Sequence, residues 1–529
     1  MSKKEELYSS HIFMFPFRFD YIEENNKIYT REFEFYREQH IDKRINIKEL
    51  LLQLYMNNTW KYEEFNLDKI IEEKQVKYYN EFSYFYDYAK EALYNLNTFG
   101  KDDTFFNDEI SYYFEHTEYR ENKEKNRLIL NYKKSNQMMD YNLQIDGISL
   151  RIFQTGVAIL SLEIENYSYK KLEDIKRINE IGRRFYPQYL NCKDNIISNP
   201  DFMALSIEIK NDSDSIKEKF NCGDVCIKHT NQIKIGHHIM SLLGESFTQD
   251  FNKIKSFYIQ PIMDDRMFVL CWYGSNQFAS RIEEDEQYTN DNSWYEYVFI
   301  DKDKDTTVQN EWMKNELIFN ATYDRWSKWK TLFGITRYSF VVLTDEGDFG
   351  KNVINIHMNT MYFQMIMLLL VTRASILRFS DEVSAIADLN IDNSEERLSS
   401  LYAKYLSFYN RVYFKEVTHQ DQGIELYDMA LKQMKIPEHV DKLDGKFEKL
   451  FNFVNMKSSA KESSAMNWLT LLVSAMGVSG LFIAMFSMGV FEYEKSWSSL
   501  GWAIGGSLGA GLVALLGMRS WSSHTVGGK

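Results

Sequence analysis

The chain has 529 residues, a formal net charge of −14, 26% charged residues and 44% hydrophobic residues. Length and composition predict about two to four globular folding units and exclude a disordered protein. The acidic balance argues against direct nucleic-acid binding, because phosphate backbones are bound mainly by Lys and Arg. Four cysteines without disulfide spacing, and a start without the apolar core of a signal peptide, indicate a reduced cytosolic domain.

The first part of the chain, 1–350, is predicted to be an α/β cytosolic sensor domain. Alternating apolar and aromatic residues predict strands at 11–21, within 142–166, and at 203–209, 256–261, 267–273, 297–300 and 338–343. Turns are expected at Asp146-Gly147 and at 154–156, and Pro16 suggests an edge strand or a bulge. Apolar residues three apart predict a helix that stops at Pro187. The stretches 250–265 and 283–292 are predicted to be acidic surface.

Residues 351–464 are predicted to be a helical bundle and a stalk. The apolar run 361–372 is too short to cross a bilayer and predicts a buried helix that continues towards Ile386. A second helix is expected over 395–418, and Pro437 is expected to open a last one. In this last helix, apolar residues recur at heptad spacing and predict a seam that packs within the chain or between subunits. The seam residues are Val440, Leu443, Phe447, Leu450 and Val454.

Residues 465–519 are predicted to be a transmembrane hairpin. Two uncharged apolar runs, 468–491 and 497–518, are each long enough to cross a bilayer, and a short polar turn separates them. A cytosolic tail is expected at 520–529. Basic residues beside the spans predict that both termini are cytoplasmic, so the sequence predicts a multi-pass protein of the inner (plasma) membrane, in contact with lipid.

Small polar residues on one face of the first span would line a water-filled path if several copies assembled. The same residues could instead form hydrogen bonds between helices without conduction. The candidate pore-lining residues are Asn467, Thr470, Ser474, Gly477 and Met488. In the second span, Gly501, Gly505 and Gly509 share one face, which predicts close helix packing. Two helices cannot enclose a pore, so conduction would require a homo-oligomer.

This order of elements resembles the CorA family of divalent-cation channels. The Tyr-Gly-Met-Asn signature of that family corresponds here to 486–489, followed by Glu492, Glu494 and the stretch 497–502. Gly489 stands where the family has Asn, so the signature does not imply magnesium selectivity, although Mg²⁺ remains possible. A CorA-like divalent-cation transporter and a membrane-anchored scaffold without a pore are the alternatives.

Four phrases, at 11–20, 154–166, 177–187 and 333–344, are similar to divergent CorA-like proteins associated with type III CRISPR systems. That resemblance implies an antiviral membrane effector. Its cytosolic domain would bind a nucleotide second messenger, S-adenosylmethionine joined to AMP (SAM-AMP), and its membrane part would open a pore or disrupt the membrane.

A ligand with a phosphate and two adenines needs guanidinium groups and aromatic faces. The candidates are Arg183, Arg184, Arg337 and Trp329, although an exposed or ion-paired arginine would look the same in sequence. No Walker lysine, nucleophile elbow or His-Glu-x-x-His motif is present, so no enzymatic activity, catalytic residue or cofactor is predicted. The Cys and His residues of 222–238 do not have zinc-site spacing, so no metal site is predicted.

Overall fold

A computed structural model describes residues 6–22, 46–96, 109–134, 137–186, 203–220, 226–227, 232–281, 287–301, 306–387 and 394–456. Two compact units divide the chain, residues 1–447 and residues 448–529. The strands and nearly all of the described helical residues lie in the first unit. In the second unit, the described residues 448–456 are helical.

The first unit is built on a sheet of 14 strands, with a separate two-stranded pair. The strands are β1 (Ser9–Tyr21), β2 (Trp60–Tyr62), β3 (Ser111–His116), β4 (Arg127–Lys134), β5 (Gln137–Phe153), β6 (Val157–Asn166), β7 (Ser206–Lys210), β8 (Ser215–Lys219), β9 (Cys226–Ile227), β10 (Gln232–Ile233), β11 (Phe247–Thr248), β12 (Phe257–Pro261), β13 (Phe268–Gly274), β14 (Thr322–Tyr323), β15 (Leu332–Ile335) and β16 (Ser339–Thr344). The main order across the sheet is β14-β15-β16-β13-β1-β6-β5-β4-β7-β8. Most neighbours are antiparallel, whereas β13 and β16 run parallel, as do β11 and β12.

The described helices lie between and after these strands. The α-helices are α1 (Ile47–Met56), α2 (Leu67–Glu72), α3 (Val76–Tyr84), α4 (Asp87–Tyr94), α5 (Thr117–Arg120), α6 (Leu172–Gly182), α7 (His237–Leu243), α8 (Asn276–Arg281), α9 (Asn292–Phe299), α10 (Glu311–Ala321), α11 (Asn355–Met358), α12 (Met361–Ala387), α13 (Ser394–Arg411), α14 (Asp421–Met434) and α15 (436–456). A π-helical turn, Gly350–Ile354, leads into α11.

Strand β1 lies in the middle of the sheet, and this position explains Pro16. On one side β1 pairs with β6, and on the other it pairs with β13 up to Met14 and with β12 from Phe17. The carbonyl of Pro16 accepts a hydrogen bond from the backbone N–H of Ile262, so its nitrogen faces the same side, where β1 changes partner. The missing N–H therefore costs no ladder bond. The prediction of an edge strand or a bulge at Pro16 is wrong.

Most of the predicted strands are confirmed, and two local predictions are wrong. The turn at 154–156 joins β5 to β6, but β5 continues through Asp146-Gly147 with a shift in pairing register between Ile145 and Gly147. This irregularity is a bulge and not a turn. The stretch 297–300 belongs to helix α9 and its C-terminal cap. The helix begins after Asp291, whose side chain accepts a hydrogen bond from the Trp294 N–H and caps the N-terminus.

Helix α12 is the buried helix that the apolar run at 361–372 predicted. It packs on β1 and β6. The helical stretch Gly350–Ile386 is long and apolar enough to cross a membrane by length and composition, and 94% of its most apolar window is buried inside the protein. Its apolar side chains are thus already covered by protein, as in a core helix. Within the described residues it is the single candidate for a span, which does not support the multi-pass prediction.

The predicted fold class, a CorA-like α/β domain with a stalk and a two-helix transmembrane hairpin, is wrong. The described residues form a large, mainly antiparallel sheet followed by helices that pack with it, with one candidate apolar helix and not two. The compact unit extends to Phe447, whereas the sequence placed boundaries at 350 and 464. The two predicted spans, 468–491 and 497–518, lie outside the described residues, as do the pore-lining and glycine candidates on them.

The heptad seam of α15 is buried. Its apolar residues are Val440, Leu443, Phe447, Leu450 and Val454. The ring of Phe447 stacks on Tyr405 of α13 with 5.0 Å between centroids, and the Tyr405 hydroxyl donates to Asp444 at 2.6 Å. As far as Phe447, the seam therefore packs within the first unit, which is one of the two arrangements that the sequence left open.

Candidate functional site

Five arginines from four parts of the chain come together where the parallel strands β13 and β16 begin. Arg183 and Arg184 follow directly after α6, and Arg266 and Arg337 each lie two residues before a strand. Arg373 lies in the middle of α12. We call these five residues the arginine cluster. Arg183, Arg184 and Arg373 are buried, whereas Arg266 and Arg337 are half-buried.

The ring of Tyr338 lies between two of these guanidinium groups. The Cζ atom of Arg266 is 4.9 Å from the ring centroid, and that of Arg373 is 5.4 Å from it. A cation within about 6 Å of an aromatic face is attracted by the quadrupole of the ring. Arg373 also donates from Nη1 to the carbonyl oxygen of Arg337 at 2.9 Å. Tyr338 thus holds two like charges close together.

Two adjacent aspartates contact the other side of the cluster. Asp265 accepts a hydrogen bond from Nη1 of Arg184 at 2.7 Å, and its second oxygen lies 3.3 Å from Nε of Arg266. Asp264 accepts from Nε of Arg266 at 2.9 Å. A β-bridge joins the backbones of Arg184 and Arg266. Arg184 and Arg266 are therefore the two members of the cluster that pair with carboxylates.

The remaining three arginines have no such partner. Within the described residues, no ion pair joins Arg183, Arg337 or Arg373 to a carboxylate, and each of their Nε atoms is buried without a hydrogen-bond partner. Arg183 donates from Nη2 to the carbonyl oxygen of Ile300 at 2.9 Å. Burial, with the nearby charges of Arg184 and Arg266, lowers the pKa of Arg183 to about 9. Burial, which disfavours the charged form, is the main cause of this shift, and the two neighbouring cations add to it.

Two further titratable groups respond to the cluster. Burial and a hydrogen bond with the neighbouring Asp264 raise the pKa of Asp265 to about 6, although two guanidinium groups contact it. Burial lowers the pKa of His439 on α15, and the charges of Arg337 and Arg373 lower it further. At neutral pH, Asp265 is therefore mainly a carboxylate, and His439 is mainly uncharged.

The cluster has the chemistry of an anion site. Guanidinium groups present planar pairs of donors that match phosphate and carboxylate oxygens, and such bonds are about twice as strong as neutral ones. Here, the guanidinium groups outnumber the aspartates that contact them, and the partly exposed Arg337 gives access from solvent. An anion bound to the unpaired members would lower the repulsion among the five cations.

The structure brings together three of the four ligand-binding candidates that the sequence indicated. Arg183, Arg184 and Arg337 all belong to the cluster. Trp329 does not, because it is 74% exposed and its nearest described ring is that of Phe349, at 6.5 Å between centroids. The sequence did not identify Arg266, Arg373 or Tyr338. The Asp-Asp-Arg triplet ending at Arg266 was the available signal, and Arg373 had none beyond a charge in an apolar helix.

The described part of 222–238 contains no group of three metal-ligating side chains. His238 is buried, and burial together with His237 lowers its pKa to about 3. Cys222 and His229 lie outside the described residues. The ring of His237 contacts the Ser241 hydroxyl, and its backbone N–H donates to Glu218.

A buried polar network in the sheet is a structural feature. His11 on β1 lies 2.7 Å from the Asn179 side-chain oxygen and 2.8 Å from the Ser9 hydroxyl. The Cys271 sulfur is 3.5 Å from the same ring, and burial raises the pKa of this thiol to about 12. Burial also lowers the pKa of His11 to about 4. A neutral imidazole and a protonated thiol inside the core suit packing, and not nucleophilic chemistry.

A cavity of about 90 Å³ lies between the β5–β6 turn and helices α12 and α13. Its wall is apolar at Phe153, Phe379 and Phe408, and polar at Lys404 and Arg411. The cavity shares no residue with the arginine cluster.

Comparison of the chain with family models, with curated proteins and with solved structures finds no match.

Proposed function

We propose that this protein is a sensor whose arginine cluster binds a phosphate-bearing ligand of the nucleotide class. The observation that carries the proposal is the convergence of Arg183, Arg337 and Arg373, whose buried Nε atoms have no partner within the described residues. A buried charge without a partner is costly, and a bound anion would remove that cost. Tyr338 keeps two of the guanidinium groups in position for such an anion.

The resemblance to CRISPR-associated proteins supports the choice of ligand. Arg183 and Arg184 lie in the phrase 177–187, and Arg337 lies in the phrase 333–344, two of the phrases that carry the resemblance. These arginines are distant in sequence, and Arg266 links them in space, because its charge acts on Arg183 and Arg184 and its guanidinium contacts the ring of Tyr338, the residue after Arg337. On this basis, the proposed ligand is SAM-AMP, and the proposed role is antiviral defence.

The proposed output is a change in membrane permeability produced by a homo-oligomer at the plasma membrane. Arg373 lies on α12, and His439, whose pKa responds to the cluster, lies on α15. After α15 the chain continues into residues 457–529, whose apolar composition supports contact with lipid. A ligand shifts the population of conformations only if it binds one of them more tightly. We expect the favoured conformation to be the one in which the unpaired cations of the cluster contact the anion.

Binding is tested first with the full-length protein by calorimetric titration with SAM-AMP, ATP and AMP. Arg337→Ala and Arg373→Ala are expected to weaken binding by roughly tenfold or more, because each removes a charge-assisted contact. Arg325→Ala is the matched control, because Arg325 pairs with Glu425 on the exposed surface. Equal affinities for the wild type and both cluster variants would rule out the cluster as the site.

The membrane response is tested separately in liposomes that contain the full-length protein. Ion or dye release that requires the nucleotide, and that Arg373→Ala abolishes, is the expected result. Sedimentation with membranes from cells that express the protein tests the location. Release without nucleotide, or recovery in the soluble fraction, would contradict this part of the proposal.

A further inference from the structure

The arginine cluster contains its own competing anion. Asp264 and Asp265 lie in the loop 262–267, between β12 and β13, and their carboxylates contact Arg184 and Arg266. Asp265 is only 3% exposed, so its carboxylate is held inside the cluster and not in solvent. A phosphate that reaches Arg184 or Arg266 would therefore meet donors that already bind a carboxylate.

The loop 262–267 is attached to the rest of the cluster through its backbone, an ion pair and a ring contact. The N–H of Met267 donates to the carbonyl oxygen of Arg183 at 2.7 Å, and Arg266 forms a β-bridge with Arg184. Asp265 pairs with Arg184, and Arg266 contacts the ring of Tyr338. Asp264 pairs with Arg266 inside the loop, and the N–H of Asp265 donates to the Asp264 side chain at 2.7 Å. Exchange of the Asp265 carboxylate for another anion would therefore release the ion pair between this loop and Arg184.

On the basis of the proposed function, we infer that Asp264 and Asp265 form an internal counter-anion that competes with the ligand phosphate for Arg184 and Arg266. Phosphate binding then displaces the two carboxylates from these guanidinium groups. The unpaired Arg183, Arg337 and Arg373 provide the first contacts. Arg184 and Arg266 become available only when the aspartates leave. The aspartates thus lower the affinity for any single anion and favour ligands that carry at least two negative charges.

The test uses inorganic pyrophosphate as the probe, titrated into the full-length protein. Asp265→Asn and Asp264→Asn keep the size of each side chain and remove one negative charge. At least one of these variants is expected to bind pyrophosphate roughly tenfold more tightly than the wild type, because it removes a competitor for a guanidinium group. Asp428→Asn, which removes a carboxylate from an exposed pair with Lys432, is the matched control and is expected to leave the affinity unchanged.

Hydrogen exchange gives an independent measure of the displacement of the carboxylates. The Asp265 amide should exchange faster when pyrophosphate is present, because its bond to the Asp264 side chain is lost when the carboxylates move away from the guanidinium groups. Thermal unfolding without pyrophosphate establishes that each variant is folded. If Asp265→Asn is unfolded, Asp264→Asn carries the test, since Asp264 is only partly buried.

The possible results distinguish failure of this inference from failure of the proposed function. Wild-type binding of pyrophosphate, with no gain in either variant and no faster exchange, would overturn the internal counter-anion and leave the anion site intact. Failure of the wild type and of all variants to bind pyrophosphate, SAM-AMP or ATP would overturn the proposed function, and the inference with it.

Discussion

Replacement of Tyr338 tests whether an aromatic ring holds the arginine cluster together. The two guanidinium carbons of Arg266 and Arg373 lie 4.9 and 5.4 Å from the ring centroid, both within the range of a cation–π contact. At partly buried sites, each contact contributes about 1 kcal/mol. Tyr338→Leu keeps an apolar side chain and removes the quadrupole, so we expect the free energy of unfolding to fall by about 2 kcal/mol.

The assay is urea unfolding of the full-length protein, followed by fluorescence and compared with Tyr338→Phe. The Phe variant keeps the ring and loses only the hydroxyl, so its stability should remain within about 1 kcal/mol of the wild type. Tyr338→Leu should also weaken nucleotide binding, because Arg266 and Arg373 would repel each other into new positions. Equal urea midpoints for the Leu and Phe variants would refute the idea that the ring stabilises the two cations.

Three other predictions concern the scaffold around the site. Gly182→Ala should lower stability by about 1–3 kcal/mol, because the new Cβ would lie 2.6 Å from the buried Phe13 ring. Gly445→Ala, with open space around it in α15, should raise stability by up to about 1 kcal/mol. Thermal unfolding distinguishes the loss from the gain. Burial, and then the charge of Asp146, raise the pKa of Glu163 to about 7 from its ordinary value of 4.5, so the folded state binds the proton more tightly than the unfolded state. The free energy of unfolding should therefore fall by up to about 3 kcal/mol as the pH rises from about 4.5 through 7. Glu163→Gln should remove this pH dependence, which urea unfolding at several pH values measures. Phe447→Ala should lower the free energy of unfolding in urea by about 3–5 kcal/mol, because it removes a buried side chain and leaves a cavity beside Tyr405. Phe319→Ala, at a residue that is 57% exposed on α10, should cost less than about 1 kcal/mol.

Local patterns in the sequence predicted the strands better than they predicted charge pairing. Apolar and aromatic runs located β1, β6, β13 and β16 because each strand is buried on at least one face. The stretch 250–265 was interpreted as acidic surface, yet Asp265 is buried against Arg184, which is 81 residues away. A charge is exposed or buried according to its partner, and a partner so distant in sequence leaves no local pattern.

Length predicted how one apolar helix is covered. The run 361–372 is too short to cross a bilayer, and the sheet face formed by β1 and β6 buries α12, as expected. The arginine cluster has no such signal in the sequence. It depends on β13 and β16 beginning at the same end of the sheet, a parallel pairing that alternation does not encode.

The central position of β1 has a consequence for how the protein is made. Ser9 pairs with Tyr273, so β1 is translated long before its neighbour β13 exists. Pairings this distant in sequence form slowly, and an apolar strand left open meanwhile is prone to aggregate. Biogenesis of this protein is therefore expected to depend on a chaperone that shields β1 until the middle of the chain has been translated.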